Sequence, residues 1–86
     1  MPAGDIMLIT VRFFASYADN LGLRDTELTL GDGASVSDLL SSVARLPGAS
    51  ALPANPLVAV NQVYAVPATR LNPGDEVALI PPVAGG

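Results

Sequence analysis

One stretch of this chain restricts the fold more than any other. Residues 35–46 read SVSDLLSSVARL, in which Val36, Leu39, Leu40, Val43 and Leu46 recur at helical spacing and lay a single apolar stripe along one side. Ser35 stands where an N-cap is expected, and Asp38 three residues later forms a capping box with Asp in place of the usual Glu. Pro47 and Gly48 close the segment, because neither extends a helix comfortably. A helix with one apolar stripe needs a surface to cover it. The other periodic segments mostly alternate with a period of two, so that surface is a sheet.

Residues 6–14, IMLITVRFF, are β-branched and aromatic-rich, and alternation places Ile9, Val11 and Phe13 on one face and Thr10, Arg12 and Phe14 on the other. The first set reads as core, which leaves Phe14 as a large apolar group on an otherwise polar face. The next residues, ASYADNLG, read as two helical turns with Gly22 as a left-handed stop. DTELTL at 25–30 alternates again, with Thr26, Leu28 and Leu30 together, and a hairpin with the first strand is expected. After the helix, ASALPANP at 49–56 reads as a loop. LVAVN at 57–61 is a short strand with Val58 and Val60 inward, and QVYAV is a brief extended piece before Pro67. NPGD at 72–75 is a turn, with Pro73 presetting φ and Gly74 at the permissive position. EVALI at 76–80 is the last strand, with Val77 and Leu79 inward and Ala78 and Ile80 outward.

Strands on either side of one main amphipathic helix give an α+β arrangement, with a mixed sheet of four to five strands and the helix packed across it. The economical solution is a β-grasp, in which the first and last strands lie side by side at the sheet centre. At 86 residues, half of them hydrophobic, the chain is one domain with a modest core. No apolar run is long enough to span a bilayer, and MPAGDIM lacks the pattern of a signal peptide, so a soluble cytoplasmic protein is expected.

The missing residue types exclude most chemistry. Without Cys or His there is no thiolate zinc site, no cysteine nucleophile and none of the commonest general base. All four cationic side chains are Arg, so no lysine exists for Schiff-base chemistry, and a serine would lack its usual bases. An autonomous enzyme is not expected. The net charge of −4 disfavours nucleic acid, which calls for a basic stripe, and suits a basic protein partner.

What carries chemistry is the end. Pro81 and Pro82 follow the last strand directly, stop its ladder for want of N–H groups and hold φ near the extended value. Residues 1–82 therefore read as the domain and 83–86 as a flexible tail. Gly85 and Gly86, lacking side chains, let the backbone and its carboxylate enter a slot too narrow for other residues, and Val83 offers a small apolar foothold.

VRFFASYADNLG, VAVNQVYA and above all GDEVALIPPVAGG resemble the small subunits of molybdopterin synthase, the MoaD family, in the right order over nearly the whole chain. The resemblance implies a ubiquitin-like β-grasp fold and a sulfur carrier of molybdenum cofactor biosynthesis. The Gly86 carboxylate would be adenylated by an E1-like (MoeB-like) enzyme and converted to a thiocarboxylate by a sulfur donor acting through that partner. A large synthase subunit (MoaE-like) would then take up Pro81, Pro82, Val83, Ala84 and Gly85 and use the sulfur to turn cyclic pyranopterin monophosphate into molybdopterin. This chain would bind no metal or cofactor of its own; ATP and Mg²⁺ would be used by the activating partner. Phe14, Tyr64 and Ile80 match apolar positions at which the family meets its partners. Asp75 and Glu76 are available to a basic partner, although turn chemistry alone accounts for Asp75. Arg12 and Arg70 read as solvated charges.

Two other readings share the Gly-Gly end. A thiamine-pathway (ThiS-like) sulfur carrier has the same fold but usually lacks the PPVAGG stem and the FFA element. A ubiquitin-like protein modifier would use the same activation step, although without lysine it could not build lysine-linked chains on itself.

Overall fold

The computed structural model describes residues 5–53 and 56–81. Strand β1 (Ile6–Phe13) leads into helix α1 (Ala15–Leu21), strand β2 (Asp25–Gly31), helix α2 (Val36–Val43) and a 3₁₀ turn (Ala49–Ala51). Strands β3 (Leu57–Val60), β4 (Val63–Ala65) and β5 (Glu76–Ile80) complete the chain order. The five strands form one sheet in the order β2-β1-β5-β3-β4, with β1 and β5 parallel at its centre and the other pairs antiparallel. This is the β-grasp arrangement anticipated from the strand and helix order.

Alternation decides which side of each strand is dry. Met7, Ile9, Val11 and Phe13 of β1 are buried, and Val77 and Leu79 of β5 join them beneath α2. Val58 of β3 and Val36, Leu39 and Val43 of α2 complete this layer, and Tyr17 of α1 enters the same core. The helical reading of residues 15–21 holds, and Gly22 ends α1 at φ 69°, its N–H donating to the Ala18 carbonyl.

The start of α2 is fully capped. Val36 and Ser37 donate their N–H groups to the carbonyls of Thr69 and Pro67, Asp38 to the Ser35 hydroxyl and Leu39 to the Ser35 carbonyl. The Asp38 carboxylate accepts in return from the Ser35 N–H at 2.9 Å. Every donor of the first turn that lacks a partner within the helix is therefore satisfied. The segment before β5 serves here as a strap over the helix start.

Two boundaries differ from the sequence reading. The apolar stripe was expected to run in one helix to Leu46, but α2 stops at Val43. Arg45 and Leu46 then donate to Ser42 and Val43, which are tighter i→i−3 bonds. Pro47 disfavours helical backbone at Leu46, so the last turn tightens, while Leu46 still packs against the core. The expected loop at 49–56 contains the 3₁₀ turn, closed by the Leu52 N–H on the Ala49 carbonyl. Gly48, at φ 87°, brings this segment so close to α1 that a Cβ there would lie 2.4 Å from the Asn20 carbonyl oxygen.

Candidate functional site

The face of the sheet turned away from α2 collects the outward residues of four strands. Strand pairing sets Ala78 of β5 beside Ala59 of β3, and Ala59 beside Tyr64 of β4, while Ile80 faces Leu57 across the end of the ladder. Phe14 continues the alternation of β1 one residue past its end, in extended backbone at φ −111° and ψ 149°. Its N–H donates to the Leu79 carbonyl and its carbonyl accepts from Tyr17, so it is clamped between β5 and α1. The extended backbone turns its ring outward, and the clamp keeps it there.

Phe14, Tyr64 and Ile80 line one open groove of about 290 Å³, whose other walls are Ala59, Ala78, Gln62, Arg12 and Glu76. Phe14 is 45% exposed and Tyr64 71%, while Ile80 is half-buried. Phe14 and Tyr64 are exposed aromatics that share this face with Leu57, and such a cluster is less common on a surface than isolated apolar residues. Pro81 follows Ile80 immediately, so the chain leaves the sheet at the apolar end of this groove. Pro82, Val83, Ala84, Gly85 and Gly86, singled out from the sequence, lie outside the described residues.

The charged residues divide into structural and exposed. Asp75, a candidate for a basic partner, is 8% exposed and spent within the chain. Its carboxylate accepts from Asn61 Nδ2 at 2.9 Å and from the Asn72 N–H at 2.8 Å. Its neighbour Glu76 is open and pairs with Arg12, Nη1 to Oε2 at 3.3 Å. Arg12, read as a solvated charge, thus stands at the groove wall. Arg70 sits instead at a bridge with Ser35, on the strap over α2.

Among the described residues no group of three or more His, Cys, Asp or Glu is placed to hold a metal ion. No helix among them is long and apolar enough to cross a membrane. The chemical resources of this surface are therefore shape and apolar area, with one ion pair at the rim.

The sequence model of the ThiS family matches residues 11–86. The chain is 39% identical over 83 residues to the molybdopterin synthase sulfur carrier subunit of Chlamydomonas reinhardtii, covering 93% of this chain and 100% of that one. The small archaeal modifier protein 1 of Haloferax volcanii superposes with a TM-score of 0.80 at 27% identity, over 90% of this chain and 99% of that chain. A candidate subunit 1 of molybdopterin converting factor from Pyrococcus furiosus gives the same TM-score, 0.80, at 27% identity, with 90% and 99% coverage. The chain belongs to the ThiS family and has its ubiquitin-like β-grasp fold.

Proposed function

We propose that this chain is a sulfur carrier of molybdopterin synthesis, the small subunit of a synthase whose active site belongs to a larger partner. The observation that carries the reading is full-length likeness to a relative named as a sulfur carrier subunit, together with a family model that matches through Gly86. The residue inventory agrees, because a chain with no Cys, His or Lys has little else with which to hold or move sulfur.

The chemistry assigned to the chain is that of one carbonyl carbon. The Gly86 carboxylate is a poor electrophile until an E1-like enzyme, using ATP and Mg²⁺, joins it to AMP and releases pyrophosphate. Sulfide-level sulfur then displaces AMP and leaves a thiocarboxylate, a good nucleophile at neutral pH. The large subunit takes up the tail, and the terminal sulfur attacks the pyranopterin precursor there. Phe14, Tyr64 and Ile80 seat the partner beside the exit of the tail. Gly85 and Gly86 pass where a side chain would not fit.

The test is the intact mass of the chain after incubation with an E1-type activating enzyme, ATP, Mg²⁺ and a sulfur donor. Replacement of one terminal oxygen by sulfur is the expected result. An unchanged mass, or a change located elsewhere in the chain, overturns the reading. Transfer of that sulfur to the pyranopterin precursor by a large subunit then separates the molybdopterin route from a thiamine route.

A second reading is favoured by the likeness to an archaeal protein named as a modifier. There the activated Gly86 would be joined to lysines of target proteins. Conjugates of higher mass that resist reduction, formed in the same incubation with cell extract, identify that role.

A further inference from the structure

Outside the β3–β4 hairpin, the described residues turn their left-handed corners on glycine, at Gly22, Gly33, Gly48 and Gly74, with one exception. Ala15, between Phe14 and Ser16, has φ 49°. An L-residue adopts this backbone only at a cost in free energy, and glycine would take it without that cost. The corner is held from both sides by buried neighbours, since Phe13 and Tyr17 are each 4% exposed. Phe14 donates its N–H to the Leu79 carbonyl at 3.3 Å and accepts from the Tyr17 N–H at 3.0 Å. The strand therefore passes into α1 with no connecting loop, and Phe14, Ala15 and Ser16 stand exposed between two core residues. Strain of this kind gathers at functional sites. Here it surrounds one side chain. Phe14 is a wall common to two hollows, the groove with Tyr64 and Ile80 and a second of about 530 Å³ toward α1, lined by Ala15, Ala18 and Arg24. Gln62, at φ 72°, lines the first hollow and Ala15 the second, so left-handed backbone without glycine borders both.

We propose that Ala15 is a positioning residue for Phe14: its methyl group confines the corner to one narrow left-handed well, so the ring is presented in the same place before a partner arrives as after. This rests on the carrier reading above, in which Phe14 seats the large subunit. The physical reason is entropy. An L-residue at positive φ has one small allowed region, whereas glycine there has a much wider one. With glycine at 15, α1 could pivot against β1 and the Phe14 ring would sample several directions that binding must then remove. A partner meets a pre-set aromatic without that loss. Fold stability does not choose between the two residues, because glycine relieves the left-handed strain but loosens the unfolded chain by a similar amount. Binding does choose.

The experiment measures binding of the full-length chain to the large molybdopterin synthase subunit of its source organism by calorimetry, with the melting temperature of each chain taken alongside. The natural chain is compared with Ala15→Gly, Ala15→Ser, Phe14→Ala and the double variant Ala15→Gly with Phe14→Ala. Serine keeps a Cβ and so keeps the narrow well. The expected result for Ala15→Gly is an unchanged melting temperature within a few degrees and binding weakened roughly 2- to 5-fold. Ala15→Ser is expected to bind as the natural chain does. In the Phe14→Ala background the glycine is expected to change nothing further, and this coupling is what a general structural role would not produce. Natural affinity in Ala15→Gly overturns the proposal. So does a loss of the same size with and without the Phe14 ring, because the methyl group would then act independently of that ring. If Phe14→Ala binds as tightly as the natural chain, there is no anchor to position and the proposal falls, while the sulfur-mass test still decides the carrier reading. A natural chain that does not bind the subunit overturns both.

Discussion

Asn61 and Asp75, fourteen residues apart, tie the β3–β4 hairpin to the start of β5 through a 2.9 Å hydrogen bond from Asn61 Nδ2 to Asp75 Oδ1. The same two side chains close the surrounding backbone. Asn61 Oδ1 accepts from the Glu76 N–H at 3.0 Å, and Asp75 Oδ2 accepts from the Asn72 N–H at 2.8 Å. Asp75→Ala removes both acceptors from a buried site and leaves two donors unanswered, which costs about 2–3 kcal/mol. For a domain of this size that lowers the melting temperature by roughly 10–20 °C. Thermal denaturation followed by circular dichroism checks this, and affinity for a partner per folded molecule is expected to stay unchanged.

Gly48 and Gly22 are both left-handed, at φ 87° and 69°, and their alanine variants are expected to behave differently. Around Gly22 nothing lies within 4 Å of an added Cβ, so Gly22→Ala pays for backbone conformation alone, about 1 kcal/mol. At Gly48 the same methyl meets the Asn20 carbonyl oxygen at 2.4 Å, which is backbone and cannot swing aside. The turn must separate from α1, and a loss of about 3 kcal/mol or more is expected. Urea titration of the two variants side by side measures the difference.

Tyr17 runs the other way. Its ring is buried at 4% exposure, and its hydroxyl has no hydrogen-bond partner among the described residues. Tyr17→Phe removes the unsatisfied group and keeps the ring, so stability is expected to hold or to rise by about 1 kcal/mol. A drop of that size in a denaturant titration would show that the hydroxyl is bonded.

These cases mark where the sequence was legible. β1 and β5 are long enough for alternation to sort Ile9, Val11, Val77 and Leu79 inward and Ile80 outward, and Ser35 with Asp38 announced the start of α2 by their spacing. Residues 49–51 carry no period, since two alanines and a serine look alike on any side of a helix or loop, so the 3₁₀ turn was missed. β4 spans only three residues, too few for alternation to orient Tyr64, whose place came from resemblance alone. The pairing of Arg12 with Glu76 depends on the parallel register of β1 and β5, in which Thr10, not Arg12, lies opposite Glu76. Nothing local encodes so diagonal a contact. Gln62, at φ 72° in the β3–β4 turn, is equally silent, because glutamine does not advertise left-handed backbone.

Gln62→Gly follows from that turn. Asn61 and Gln62 have φ of 50° and 72°, the geometry of a two-residue turn with both residues left-handed, which asparagine tolerates and glutamine resists. Glycine at 62 relieves strain worth about 1 kcal/mol, less what is lost by loosening the unfolded chain. A net gain of about 0.5 kcal/mol in stability is expected. Because Gln62 also lines the groove, a parallel binding measurement shows whether its side chain is used by a partner.

Phe13 and Phe14 are adjacent and chemically identical, and they separate folding from function. Phe13 points into the core at 4% exposure, and Phe13→Ala there is expected to cost about 3–5 kcal/mol, a large fraction of the stability of a small domain. Phe14, on the other face, is 45% exposed, and its backbone hydrogen bonds to Leu79 and Tyr17 survive truncation. Phe14→Ala should therefore melt within a few degrees of the natural chain. If the groove seats a partner, the same change removes an aromatic anchor next to the chain exit and weakens binding by about 30-fold or more, as loss of a central interface aromatic commonly does. Sulfur transfer at limiting partner concentration should fall with it and recover when the partner is in excess, because the reacting carboxylate is untouched. A Phe14→Ala chain that binds and transfers normally would remove the groove from the function and leave the tail to find its partner unaided.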